Sequence, residues 1–164
     1  MEKNEVLQLS NELTYRHYLM DRGKIKDIFR KVSIPEYIAL QAIVEENNCS
    51  AIYFGKTYLK DLAERLQISI RQTSKMMGVL KDRGLIEWSH DGKGSEGTYV
   101  LITENGKRLV TEQESILKSY YEKVIQKYGK DNFLQLLQMM KQLETVMSEE
   151  MEAVQDYGRV DELD

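Results

Sequence analysis

The sequence predicts a mainly α-helical chain: a winged helix-turn-helix with a small β-wing, flanked by N- and C-terminal dimerisation helices. Three observations carry that fold class. Leu59, Leu62, Ala63 and Leu66 recur at helical spacing and run into Gln67-Ile68, after which Ser69 and Gln72 have the spacing of a capping box that opens a second helix. That helix leads through Arg83-Gly84-Leu85-Ile86 into two β-prone segments, 85–89 and 98–102, separated by His90-Asp91-Gly92-Lys93-Gly94-Ser95-Glu96-Gly97, whose three glycines suit a flexible hairpin. Long apolar stripes at helical spacing lie before and after this middle region.

Taken in order, Val6, Leu9, Leu13, His17 and Met20 form the first stripe, which Gly23 weakens before Ile25, Ile28, Phe29 and Val32 resume it. Ser33-Ile34-Pro35-Glu36 has the spacing of a capping box with proline in the first turn, so a second helix runs from there to about Glu46. Asn47-Asn48-Cys49-Ser50 is turn chemistry, and Ala51-Ile52-Tyr53-Phe54 reads as a brief strand pairing with the wing. Thr57 is the candidate cap of the next helix. After Thr103 a long helical region breaks near Gly129, and Phe133, Leu137, Met140, Leu143, Met147, Met151 and Val154 make the last stripe. The segments are therefore 1–33, a helical arm; 34–108, the winged helix-turn-helix; 109–156, dimerisation helices; and 157–164, an acidic, solvated tail.

Composition bounds the class. The 164 residues suffice for one domain, and 41% hydrophobic with 30% charged residues is globular usage. There is no run of about 18 apolar residues to span a membrane, and the first nine residues lack a signal-peptide pattern, so the expected location is the cytoplasm. One cysteine and two histidines predict neither a disulfide nor a metal site, and no cofactor is expected. Cys49 would sense redox state only if nearby cations lowered its pKa, and its immediate neighbours, Asn47, Asn48, Ser50 and Ala51, carry no charge. No phosphate-cradling glycine loop, nucleophile elbow or metal-binding histidine pair points to catalysis, so the chain is not expected to be an enzyme.

The net charge of −4 argues at first against a nucleic-acid partner, but its distribution does not. Residues 55–108 hold ten Lys and Arg against seven Asp and Glu, whereas 109–164 hold six against twelve. The basic charge lies where the helix-turn-helix lies, although an excess of three is also ordinary for a surface. At 100° per residue Ile70, Thr73, Met77 and Leu80 point inward, while Arg71, Lys75, Gly78 and Asp82 point outward with Gln72 and Ser74 on the flanks. An outward arginine reads guanine bidentately, a glutamine reads adenine, and a lysine takes a phosphate. Ser69, Arg71, Gln72, Ser74 and Lys75 are therefore the candidate double-stranded DNA contacts, with Lys93 at the wing tip. Gly78 either lets backbone approach the groove or is simply tolerated. Asp91 and Glu96 weaken the field at Lys93, so a solvated loop is the competing reading there.

These residues resemble the MarR family of winged-helix regulators. The similarity covers about 34–109: the alanine of the third helix, Ile68-Ser69 before the recognition helix, Leu80 followed by Arg83-Gly84-Leu85-Ile86, and Leu101-Ile102-Thr103 with Gly106 after it. The resemblance implies a homodimer with interlocked terminal helices, recognition helices in successive major grooves of a near-palindromic operator, repression, and release by a small-molecule effector. Many family members place Asp-x-Arg in the wing, where this chain has Asp91-Gly92-Lys93, and the segment 47–55 looks longer than usual. Tyr15, His17 and Tyr18 are the polar-aromatic cluster offered as effector contacts, His17 alternatively being an interface residue on its apolar stripe. A methionine-rich last stripe either fills a core or lines an adaptable pocket. The competing function is a winged-helix protein-interaction module, which an apolar or acidic outward face on the recognition helix would have favoured.

Overall fold

The computed structural model describes residues 3–23, 25–49 and 55–160. Its helices are α1 (Lys3–Arg22), α2 (Ile25–Ile28), α3 (Ile34–Cys49), α4 (Leu59–Leu66), α5 (Ile70–Asp82), α6 (Glu104–Tyr128) and α7 (Lys130–Val160). The strands are β1 (Thr57–Tyr58), β2 (Ile86–His90) and β3 (Thr98–Ile102), a three-stranded antiparallel sheet in the order β1-β3-β2. β2 and β3 pair in unbroken register from Ile86 opposite Ile102 to His90 opposite Thr98. The mainly α winged helix-turn-helix with a small β-wing is thus the observed fold.

The core lies where α3, α4, α5 and the sheet converge. Ala39, Leu40, Ala42 and Ile43 of α3 are buried against Leu62, Met77, Leu80, Leu85, Ile86 and Val100, joined by Val110 of α6. Burying a Leu or Ile side chain contributes about 1.5–3 kcal/mol, so this one cluster fixes the orientation of α5. The chain divides into two compact units, Met1–Leu117 and Lys118–Asp164. In the second, Tyr121 packs edge-on against both Tyr120 and Phe133, at centroid distances of 5.1 and 6.4 Å. Its burial there raises the Tyr121 phenol pKa.

Several local expectations need correction. The first helical stripe does not resume to Val32: α2 is a single turn, and Phe29–Val32 leave the helix, with the Phe29 ring tilted against Tyr37 at a centroid distance of 5.5 Å. α3 starts on the Ser33 capping box, whose amide donates to Glu36 at 2.7 Å, but it continues through Asn47, Asn48 and Cys49 rather than turning there. Asn47 is half-buried, and packing at that end outweighs weak helix propensity. The strand expected at 51–54 lies outside the described residues, as does the side chain of Cys49. Thr57 does not cap α4. It belongs to β1 opposite Val100 with its side chain buried, and Tyr58 holds the cap position in extended conformation without a side-chain bond. Ile70, expected inward, is 56% exposed, because the first residue of α5 projects beyond the core that buries Thr73, Met77 and Leu80. The acidic tail begins later than expected, since the backbone of α7 is helical through Val160. The side chain of Val154 is outside the described set.

Candidate nucleic-acid interface

α4 ends at Gln67, which takes the left-handed conformation at φ 52° and lets its own amide and that of Ile68 satisfy the last carbonyls of the helix. The chain reverses there and α5 begins at Ser69. The Ser69 hydroxyl accepts from the Gln72 amide at 3.2 Å, while the Gln72 side-chain oxygen accepts from both the Ser69 amide and the Ser69 hydroxyl at 3.0 Å. Thr73 is buried and donates back to the Ser69 carbonyl at 3.1 Å, which fastens the first turn to the core. The far end of α5 is fixed as well. Arg83 donates to the carbonyl of Lys31 and lies 3.4 Å from Glu36, and Gly84 at φ +68° turns the chain into β2. Thr103 bridges this exit to α6, donating to the Gly84 carbonyl at 2.7 Å and accepting from the Gly106 amide at 3.0 Å.

Held at both ends, α5 exposes Arg71, Gln72 and Lys75, with Ser74 half-buried on the flank. The cations of this region divide by partner. Arg65 pairs with Glu45, Lys60 with Glu96 and Arg83 with Glu36, whereas Arg71, Lys75 and Lys93 have no carboxylate within 4.0 Å among the described residues. An unpaired exposed cation needs no intramolecular bond broken before it meets a phosphate. A Cβ added at Gly78 would meet nothing within 4 Å, so no contact inside the chain requires glycine there.

The geometry alters the expectation for Gln72. Its side-chain oxygen already accepts two bonds, so the donor–acceptor pair needed for bidentate contact to adenine is not free while the capping box is closed. Only its NH2 remains to donate.

The wing tip is tightly built rather than a loose glycine loop. The Asp91 carboxylate accepts from the Lys93 amide at 2.9 Å and from the Tyr58 hydroxyl of β1 at 2.8 Å. The Lys93 amide, and then the Tyr58 hydroxyl, hold its pKa below the usual carboxylate value, and the Tyr58 phenol is raised chiefly by the same bond. A short 3-10 turn spans Gly94–Glu96. Lys56 stacks over the Tyr99 ring, 4.8 Å from its centroid. Sequence reasoning had not singled out Tyr58, His90 or Lys56 as part of this arrangement. The readable signal was an Asp two residues before a donating amide, the Asx-turn spacing.

Tyr15, His17 and Tyr18 all lie on α1 and are exposed; Tyr18 accepts from Arg22 at 3.2 Å, and His17 is 4.0 Å from Asp21. They do not line the cavity between α2 and α6. That cavity, of about 420 Å³, has Ile28, Leu109 and Ile116 as apolar walls and Asp27, Arg30, Lys31 and Glu112 as its charged lining. Lys31 reaches Glu112 at 2.5 Å, and Gln113 donates to the Ile28 carbonyl at 3.2 Å. The Lys31 bond is the main cause holding the Glu112 pKa down.

Comparison with solved structures returns this same arrangement of elements. S. aureus MepR in its DNA-binding conformation superposes with a TM-score of 0.65 at 13% identity, over 82% of this chain and 98% of that one. BldR, a transcriptional regulator from Sulfolobus solfataricus, gives 0.62 at 21% identity, over 88% and 99%. A MarR family protein from Bacillus stearothermophilus gives 0.59 at 18%, over 90% and 99%. The fold is that of the MarR-family regulators. No family model matches the chain, and no curated protein does. In this chain α4 and α5 make the helix-turn-helix and the β2–β3 hairpin the wing, with α1 before them in the chain and α6 and α7 after. No cluster of His, Cys, Asp or Glu suited to a metal, and no helix long and apolar enough to cross a membrane, occurs among the described residues.

Proposed function

We propose that this protein is a sequence-specific, double-stranded-DNA-binding transcriptional regulator, a homodimeric repressor in the cytoplasm that places two copies of α5 in successive major grooves of a near-palindromic operator. One observation carries the reading: α5 is fixed at both ends by hydrogen bonds, and its outward face carries Arg71 and Lys75 with no carboxylate partner among the described residues. Arg71 reads a base, Lys75 takes phosphate, Ser74 offers its hydroxyl to the backbone, Ser69 serves through the helix cap that holds its hydroxyl hydrogen, and the NH2 of Gln72 donates to a base acceptor or a phosphate. Lys93 contacts phosphate beside the major-groove site. Among the solved likenesses BldR is a transcriptional regulator and MepR was determined in a DNA-binding conformation, which supports the same reading. The exposed residues of α5 include the apolar Ile70 and Val79 beside Arg71, Gln72 and Lys75, and the two cations are what weigh against the alternative, a protein-interaction module.

The effector reading finds better support at the cavity between α2 and α6 than at Tyr15, His17 and Tyr18. The cavity's aliphatic walls suit a partly apolar molecule, and its rim sets Arg30 and Lys31 beside Asp27 and Glu112, so an acidic group would enter by displacing Glu112 from Lys31. Such a molecule would compete with Glu112 for Lys31, whose carbonyl receives Arg83 from the end of the recognition helix. Ligand binding and α5 placement are thereby joined through one residue, and an effector with different affinity for two placements of α5 would shift operator binding.

Fluorescence anisotropy on a duplex from upstream of the protein's own gene, against a scrambled duplex at two salt concentrations, tests the function. Preferential, salt-sensitive binding with two chains per duplex is expected. Absence of binding to either duplex, in a folded protein, rejects the DNA-binding reading and favours the interaction module.

A further inference from the structure

The tip of the wing is closed by one imidazole. The Gly92 amide donates to His90 Nδ1 at 2.8 Å, and His90 Nε2 lies 2.7 Å from the Gly94 carbonyl oxygen. An amide can only donate and a carbonyl can only accept, so the ring that satisfies both is neutral with its hydrogen on Nε2. The two bonds grip the residues on either side of Lys93. Gly92 and Gly94 have φ of +82° and +62°, conformations that glycine adopts without strain, and the Asp91 carboxylate receives the Lys93 amide from the other side. Gly97 completes the closure: a Cβ there would lie 2.3 Å from Asp91 Oδ1 and 3.1 Å from His90 Cε1.

We propose that His90 is a positioning residue for the wing's DNA contact: its neutral ring holds the tip in the conformation that presents Lys93, and protonation of the ring releases it. The inference rests on the DNA-binding reading above and adds to it a dependence on ring protonation. A hydrogen on Nδ1 would face the Gly92 N–H, so the protonated ring loses one of its two grips. Histidine is the side chain that changes charge between about pH 5 and 8. The other titratable or charged groups around the tip are Asp91, Lys93, Glu96, Tyr58, Tyr99, Lys56, and Lys60, which pairs with Glu96. Asp91 stays ionised across that range, since its two hydrogen bonds stabilise the carboxylate.

An extra proton beside DNA also attracts phosphate at any histidine, so total affinity is the wrong readout. The informative quantity is the contribution of Lys93, measured as the loss caused by Lys93→Ala. A generic duplex at low salt suffices, because a phosphate contact is sequence-independent. At pH 7.5 Lys93→Ala should weaken wild-type binding about fivefold, the order expected for one phosphate contact. In the His90→Ala background, and in wild type at equal ionic strength and a pH at which nitrogen NMR shows the ring protonated, the same substitution should cost less than about twofold. Equal losses in all three settings overturn the proposal and leave the wing contact standing. No loss in wild type at pH 7.5 overturns the wing contact and the proposal together, while retained binding through α5 keeps the regulator reading. Nitrogen NMR of the imidazole in the free protein tests the clamp without DNA: the Nε2–H tautomer with a slowly exchanging Gly92 amide is expected, and an Nδ1–H ring overturns it.

Discussion

At position 72 a helix cap and a base contact compete for one oxygen. The Gln72 carbonyl closes the box on Ser69, and the bonds it accepts there withdraw it from the groove. Ser69→Ala removes the hydroxyl from this exchange and should cost about 1 kcal/mol of stability in urea denaturation, the usual worth of an N-cap. An unchanged midpoint would mean the box contributes nothing to α5. Gln72→Glu keeps the box and should hold stability within about 0.5 kcal/mol, but it sets a carboxylate against phosphate and weakens binding to every duplex. On the outward face, Arg71→Ala should cost about 1–3 kcal/mol of discrimination at one base position, whereas Lys75→Ala should weaken all sequences alike and lower the salt slope by about one. Operator anisotropy across single-base variants separates them, and wild-type behaviour in both rejects this recognition face. The capping box was legible because four adjacent residues specify it. That its oxygen would be doubly engaged was not, since the Ser69 hydroxyl turns according to three-dimensional geometry.

The elements around the sheet carry the next set of consequences. Gly106 sits where α6 crosses the start of β2, and a Cβ there would lie 2.2 Å from the Leu85 carbonyl and 2.6 Å from Ile102 Cδ1. Gly106→Ala should therefore destabilise the protein by about 1–3 kcal/mol, as overpacking a buried contact does, and a thermal midpoint equal to wild type would show that α6 can withdraw. The hairpin has a pH dependence of known sign. Asp91 has a folded pKa below its ordinary 3.8, so its bonds to Lys93 and Tyr58 support the tip fully above that value and are lost as pH falls through the depressed folded value. Protection of the Lys93 amide, its NMR exchange rate set against the intrinsic rate at the same pH, should stay high at pH 5 and fall only below pH 3.8; Asp91→Asn should abolish the transition. A transition that survives in the variant would assign it to another group. Strand alternation and three glycines made the hairpin readable from the sequence. Its rigidity was hidden, because the Tyr58 hydroxyl arrives from a strand 33 residues away and period-2 patterning carries no information about that distance. The same holds at Thr57: its cap chemistry is local, whereas its burial opposite Val100 is set by the sheet.

At the scale of the whole molecule, the unsatisfied quantity is apolar surface. Leu9 and Leu13 of α1, and Leu137, Met140, Leu143, Met147 and Met151 of α7, keep their helical spacing yet are all exposed, Leu143 at 43% and Met147 at 51%. Neither stripe is covered within its own unit, although each leucine or methionine withdrawn from water would contribute about 1.5–3 kcal/mol. A second copy is the covering surface that costs no further partner, and closed two-fold pairing would also supply the paired recognition helices that a near-palindromic operator needs. A double substitution, Leu143→Glu with Met147→Glu, places two carboxylates in that stripe without touching the core that orients α5. Sedimentation should then give the mass of one chain where wild type gives two, with circular dichroism preserving the helical signal of the winged helix-turn-helix. Operator affinity should fall at least a hundredfold, since two half-sites would have to be bound by separate molecules instead of one assembled pair. If the variant remains a dimer with intact affinity, the α7 stripe is not the dimer interface, and α1 would have to supply it alone. If wild type is itself monomeric at micromolar concentration, two-fold operator recognition would require the DNA to assemble the pair, which predicts binding that rises with the square of protein concentration rather than in proportion to it.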